Sequence, residues 1–438
     1  MMTNISIQAF KQTRLRLLQQ FSPGIAIIPT APEVVRNRDS HYPYRFDSYF
    51  YYLTGFTEPE SVLVLIAGKQ PKSILFCREK NLEKEIWDGF RYGPEAALTS
   101  FEMDETYSIN ELDRLLPELM ANQQNLYYSW GAYPQWDEKL TGMINHLRSQ
   151  SRFGMHAPAQ TQDIYQILDE MRLIKSADEQ AIMRRSASIA AMAHQRAMNF
   201  TRPGLFEYEV EAEFLHEFRR HGAQSPAYGS IVAGGANACT LHYHANNCEL
   251  KSGDLLLIDA GCELDGYASD ITRTFPVNGK FSPAQKAVYE LVLASQYAAI
   301  DSVRVGQHWN APHEAALQIL VQGFKDFGWC HGSVESIIES GSYRQFYMHR
   351  TGHWLGLDVH DAGEYKTAAG DWRNLEAGMV TTVEPGCYIR PADNVAEEFW
   401  NIGVRIEDDV LVQQNGPEVL SAAAPKSVQQ IEDLMRND

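Results

Sequence analysis

The sequence has no CxxC pair, no apolar run that could span a bilayer and no excess of basic charge. Each absence removes a class of function. Its six cysteines (Cys77, Cys239, Cys248, Cys262, Cys330 and Cys387) are scattered. A disulfide framework or a structural zinc site is therefore not expected; buried free thiols in a cytoplasmic protein are. No stretch approaches the ~18 consecutive apolar residues of a membrane span. Met1 to Phe10 lacks the basic stretch and apolar run of a secretory signal. The 38 basic and 56 acidic residues leave a formal charge of −18. That balance counts against nucleic acid or an anionic membrane as main partner, since both require a basic surface. An ordinary acidic surface would give the same number.

What is present is enough for two packed cores. The chain has 438 residues, of which 44% are hydrophobic, and single cores stop growing at ~250–300 residues. Residues 1–174 read as mixed α/β. A helix is expected over 8–20, and short apolar runs at 24–28, 61–67 and 73–77 read as buried strands. The aromatic stretch from Tyr42 through Tyr52 suits packing at a domain or subunit contact better than ligand contact.

The pattern changes near residue 175. Ser176-Ala177-Asp178-Glu179 has the form of a capping box and opens a helix to about Phe200. Val210, Phe214 and Phe218 recur four apart in a second helix that stops at Gly222. Ser282-Pro283, with Gln285 at the third helical position, starts another, and a fourth ends near Gly328. Strand-rich blocks at 229–277 and 378–412 lie among these helices. Residues 175–438 thus form an α+β domain with helices over one face of a sheet. Gly253 to Gly261 can also be laid over Gly378 to Gly386 at a constant offset, which sets Asp259 on Glu384. Two related halves, each delivering a carboxylate, would explain this; so would chance, because strand ends often carry a turn glycine.

Four segments carry chemistry. Asp259 to Asp270 reads as a hairpin centred between Leu264 and Asp265, which would set Asp259 directly opposite Asp270. Two carboxylates so close repel unless one is protonated or a cation lies between them. A bound divalent metal is the economical answer; a solvated acidic hairpin in another register is the alternative. His349, His353 and His360 fall within one short segment. His349 and His353 have zincin spacing, but Arg350 stands where that chemistry needs glutamate. Glu384-Pro385-Gly386 holds a carboxylate at a sheet rim, or is a plain strand exit. Alternation along 403–412 sets Arg405 and Glu407 on one face, as a ligand with a fixed positive neighbour or as an edge salt bridge. Asp259, Asp270, His353, Glu384 and Glu407 together offer hard oxygen donors and one imidazole. That set suits Mn²⁺ or related ions, and its carboxylates suffice for two metals sharing bridging ligands.

Those five residues, in that order and in these local sequences, resemble the pita-bread metallopeptidases, a group that includes methionine aminopeptidase, prolidase and aminopeptidase P. Met348 to Asp361, Asp270 to Pro276 and Gly403 to Asp409 are most similar to the bacterial aminopeptidase P branch. The likeness is dense over 229–412 and softer before 175. It implies a creatinase-like N-terminal domain, a pita-bread C-terminal domain and a dinuclear Mn²⁺ centre on the five residues. It further implies that His242, His349 and His360 surround the substrate carbonyl and leaving group. The proline ring would rest near His349, Tyr388 and Arg405. Trp87 would reach a neighbouring subunit's site in a dimer or tetramer, with Asp39 near the same cleft. Gly352, where serine is expected, and the approach Ser225 to Gly229 depart from the family pattern and leave substrate preference open.

The expected reaction is release of the first residue from peptides whose second residue is proline. Two metals would lower the pKa of a bridging water, His242 and His360 would hold the oxyanion, and Glu384 would carry a proton to the leaving proline nitrogen. That nitrogen has no N–H in the peptide, so recognition must come from ring shape. The nearest alternative is a prolidase restricted to Xaa-Pro dipeptides. A catalytically dead binding module and a creatine-type amidinohydrolase rank lower, because all five ligand positions are filled.

Overall fold

The computed structural model describes residues 5–436, and the chain divides into two compact units, Met1–Arg172 and Leu173–Asp438. The first unit is built on a six-stranded mixed sheet. Its order is Glu105–Ser108, Lys72–Cys77, Val62–Ala67, Gly24–Pro29, Asn125–Tyr127 and Gln160–Gln162. The three apolar runs of the sequence form its centre. They are buried throughout, apart from half-buried Ile66, because both faces are covered. The helices Leu112–Met120 and Pro134–Ser149 bury Leu116, Met120, Leu140 and Leu147 against Ile25, Val64 and Ile74 of this sheet. Part of the aromatic stretch packs within this unit: Phe46 stacks on Tyr51 at 4.0 Å, and Phe10 meets Tyr51 edge-on.

In the second unit the helix signals of the sequence stand where expected. Ala177–Phe200 opens with a complete Ser176–Glu179 capping box. Pro283–Ser302 opens with the Ser282–Gln285 counterpart. Glu207–Arg220 buries Val210, Phe214 and Phe218. Gly222, at φ 92°, follows its end in the left-handed region that glycine tolerates best.

Two three-stranded antiparallel sheets carry the chemistry. In one, Leu255–Asp259 lies between Ile231–Gly234 and Thr272–Pro276; in the other, Asp408–Gln413 lies between Val380–Val383 and Gly416–Val419. Each offers a carboxylate at a strand end: Asp259 closes its strand and Glu384 follows Val383 directly. A backbone bond from Glu407 N to Thr272 O (3.0 Å) and another from Ile406 N to Pro385 O (3.3 Å) tie the segments together.

Three expectations need correction. The hairpin turns on Asp265-Gly266, one residue later than expected, with Leu264 paired to Tyr267 and Asp259 to Thr272. Both turn residues have positive φ (50° and 84°), as a two-residue hairpin turn requires, and Asp-Gly is a favoured pair for it. Asp259 and Asp270 are therefore diagonal rather than opposed. Moving the centre by one residue shifts each partner by two, so both carboxylates keep the same face. Second, Arg405 and Glu407 do not share a strand: Ile402–Arg405 ends before Glu407, and the next strand begins at Asp408. Third, Cys248 is exposed, whereas the other five thiols are buried; all six are free.

A candidate dinuclear metal centre

The site is assembled from three backbone movements. The hairpin brings Asp259 and Asp270 to one side of their sheet. The irregular segment 351–355 is stitched to the strand Val380–Val383 by Thr382 N to His353 O (2.9 Å), Leu355 N to Val380 O (3.1 Å) and Glu384 N to Thr351 O (2.9 Å), which sets His353 beside Glu384. Gly352 passes so close that a Cβ there would lie 2.1 Å from the Thr382 carbonyl oxygen, so the departure from serine leaves no room for a side chain. The 406–407 break then turns Glu407 inward over Thr272.

Asp270, His353 and Glu407 each offer a ligand atom within 4.8 Å of the others. His353 Nε2 is 3.3 Å from Asp270 Oδ2 and 3.9 Å from Glu384 Oε1. Its Nδ1 lies 2.9 Å from the Trp354 carbonyl, which holds the proton on that nitrogen and leaves Nε2 to face the carboxylates. Asp259 joins the group through Tyr228, whose hydroxyl is 2.6 Å from Asp259 Oδ1 and 2.5 Å from Asp270 Oδ1. Thr272 donates to Glu407 Oε2 at 2.7 Å and receives Arg405 Nε at 3.1 Å. Thus Arg405 and Glu407 do share a side, through a common threonine rather than a common strand.

The charge balance favours a cation. Four carboxylates meet here, and one guanidinium, Arg405, pairs with one of them: Arg405 Nη2 to Asp259 Oδ2 is 2.6 Å. Burial raises Glu384 to about 7. Burial, with neighbouring carboxylates, also pushes Glu407 well up and Asp270 up. Burial opposes the charge on His353, yet the hydrogen bond and charge of Asp270, with Glu384 behind, raise it to about 9. A set that must take up protons to relieve its own repulsion is one that divalent ions would relieve instead. Oxygen donors with one oriented imidazole fit that role.

Around this core, a cavity of about 510 Å³ is lined by His242, His349 and His360 as well as the five candidate ligands. His349 Nε2 bonds the Tyr388 hydroxyl at 2.8 Å, and Arg405 Nη1 reaches the same hydroxyl at 3.1 Å. His349 Nδ1 lies 3.7 Å from Glu384 Oε2. Burial and the nearby Arg405 hold the His349 imidazole neutral, at about 3. The His360 ring stands edge-on to His353 at 4.3 Å. Asp39 and Trp87 belong to the first unit, where both are exposed, Trp87 at 84%.

Several participants carried no sequence signal. Tyr228 sits in a stretch noted only for departing from the family pattern. Glu207 is fully buried and has no cationic partner among the described residues. It accepts from Gly234 N (2.8 Å), Asn237 Nδ2 (3.0 Å), the Tyr243 hydroxyl (2.8 Å) and Cys248 N (2.9 Å), fixing the loop that carries His242. Asp408 and Arg273 form a fully buried ion pair at 2.7 Å behind Glu407.

Residues 181–414 match metallopeptidase family M24, and residues 10–127 match the N-terminal domain of aminopeptidase P. The chain is 46% identical to the Xaa-Pro aminopeptidase of Escherichia coli (strain K12), over 99% of both proteins. Among solved structures it resembles a Pseudomonas aeruginosa aminopeptidase with a TM-score of 0.97 and 50% identity, covering 99% of each chain. Escherichia coli aminopeptidase P, solved with the inhibitor Pro-Leu, is 45% identical, with a TM-score of 0.95 and 98% of each chain covered.

Proposed function

The chain belongs to metallopeptidase family M24, and from that premise we propose that it releases the N-terminal residue from peptides with proline in second position. The observation that carries the proposal is the convergence of Asp259, Asp270, His353, Glu384 and Glu407 on one cavity, in a chain that matches Xaa-Pro aminopeptidases from end to end. The same full-length likeness sets aside the prolidase alternative.

The five residues would hold two Mn²⁺ ions; other divalent ions fit the donor set as well. When bound, the ions would supply an activated water at neutral pH and polarise the scissile carbonyl. The remaining work falls to the chain. His242 and His360, on the cavity wall, would donate to the oxygen that gains charge at the carbonyl. Glu384 lies between His353 and His349, the position from which a carboxyl can pass a proton to the departing proline nitrogen. His349, Tyr388 and Arg405 are locked to one another by the two bonds at the Tyr388 hydroxyl. They form a rigid wall that fits a proline ring by shape, because that nitrogen offers no N–H.

A homo-oligomer, dimer or tetramer, would bring Trp87 and Asp39 into use at the substrate. Leu82, Ile86, Trp87 and Phe90 form an exposed apolar group around the helix Leu82–Asp88, as a subunit contact requires. No helix among the described residues is long and apolar enough to cross a membrane, and a cytoplasmic location agrees with the free thiols. Incubation with Xaa-Pro-Yaa tripeptides, longer peptides and Xaa-Pro dipeptides in Mn²⁺ tests the reading. Release of the first residue from the longer substrates is expected; cleavage of dipeptides alone would return the prolidase alternative.

A further inference from the structure

Arg350 occupies the position that excluded zincin chemistry, and nothing in the reaction above uses it. Its guanidinium is held on two sides. Nη1 donates to Asn310 Oδ1 at 2.5 Å, and the Arg350 guanidinium carbon lies 5.0 Å from the centre of the Trp372 ring. Asn310 is itself oriented, since its amide nitrogen donates to Glu314 Oε1 at 2.8 Å. The side chain is exposed, and it lines the same cavity as the candidate ligands.

The cavity's charges make this placement informative. Arg405 is committed to Asp259. Among the described residues, no carboxylate lies within ion-pair distance of Arg350. Among the described residues Arg350 is therefore the cavity-lining arginine without an acidic partner; the other fixed charges there are Arg405 and the carboxylates of the metal centre. Stacking and the Asn310 bond fix the orientation of a planar fork that has donors to spare. A fork held in place loses little freedom on pairing with a carboxylate. Arg350 also follows directly after His349, the residue proposed to flank the proline ring, and lines the same cavity.

We infer that Arg350 is a specificity-determining residue that binds a carboxylate carried by the residue after proline. The inference rests on the proposed aminopeptidase activity. Two sources present the same chemistry: the free C-terminus of a tripeptide and an acidic side chain at the third position.

The experiment compares Ala-Pro-Ala, Ala-Pro-Ala-amide and Ala-Pro-Glu-amide as substrates for the Mn²⁺-loaded full-length wild type, Arg350→Gln and Arg350→Lys. The wild type is expected to show a KM for the free acid roughly three- to tenfold below that for the amide. That ratio should collapse toward one in Arg350→Gln and recover in part in Arg350→Lys. A low KM for Ala-Pro-Glu-amide would identify the side chain as an accepted source; a KM no lower than that of Ala-Pro-Ala-amide would restrict the site to the C-terminus. Equal KM for acid and both amides in the wild type, or a ratio unchanged by Arg350→Gln, overturns the assignment and leaves the activity standing. Failure to cleave any of the three peptides would instead remove the proposed function.

Discussion

Substituting Asp408 by asparagine tests how the centre is held from behind. Asp408 is fully buried, and four donors converge on its two oxygens: Arg273 Nη2 (2.7 Å) and Ser421 Oγ (2.6 Å) on one, Gln296 Nε2 (2.8 Å) and Lys426 Nζ (2.7 Å) on the other. Burial alone would raise this carboxyl, but Arg273 and Lys426 outweigh it and hold it at about 2. Relative to its ordinary 3.8, that depression is worth about 2–3 kcal/mol, at ~1.4 kcal/mol per unit. Asparagine removes the charge while Arg273 and Lys426 stay, and breaking one side of a buried pair costs about 3–5 kcal/mol. The variant should therefore lose roughly that much stability at pH 7 in urea unfolding of the chelator-treated full chain. Because the native value is depressed, the contribution is present above about 3.8 and is lost as pH falls through about 2. The gap between variant and wild type should accordingly narrow in acid. Arg273 also donates to the carbonyls of Glu407 (2.6 Å) and Thr272 (2.9 Å), so metal affinity should drop along with stability. A loss below about 1 kcal/mol at pH 7 would refute the reasoning, since it would mean the cluster tolerates two uncompensated cations.

Other outcomes follow from the same geometry. Metal-induced stabilisation should grow with pH. Folded-state values are raised for Glu384 (to about 7) and His353 (to about 9), so the metal-free chain is favoured below the ordinary values and loses that stability as pH rises through the raised ones. Melting with and without Mn²⁺ at pH 5.5 and pH 8 reads this directly, and an equal or larger shift at the lower pH contradicts it. Tyr228→Phe removes the hydroxyl shared by Asp259 and Asp270 and should weaken metal binding about tenfold. Unaltered affinity in calorimetry would make that hydroxyl a bystander. Each Glu207 oxygen accepts from two donors, so Glu207→Gln, which keeps only one oxygen, takes the acceptor from two of the four donor groups and should cost about 1–3 kcal/mol. It should lower kcat through the His242 loop without changing metal affinity; kcat equal to wild type would separate that loop from the chemistry.

Much of this was legible before any coordinates, and the reason lies in locality. The capping boxes at Ser176 and Ser282 and the four-residue spacing of Val210, Phe214 and Phe218 are short-range signals, and the helices stand where those signals put them. The candidate ligands were visible because glycine and apolar runs frame each carboxylate. Register was less legible. Weighting the centre of symmetry over the Asp265-Gly266 turn chemistry placed the hairpin one residue early, and only the period of two kept Asp259 and Asp270 on one side. Glu207, Asp408 and Tyr228 were silent because their partners lie 13–135 positions away in sequence; a buried carboxylate satisfied by distant donors leaves no local pattern.

The central claim is tested most directly by counting divalent ions per chain while following hydrolysis of a proline-containing tripeptide. Metal-stripped protein should be inactive, and activity should saturate as about two ions bind per chain. Full hydrolysis by protein that holds no metal would contradict the account.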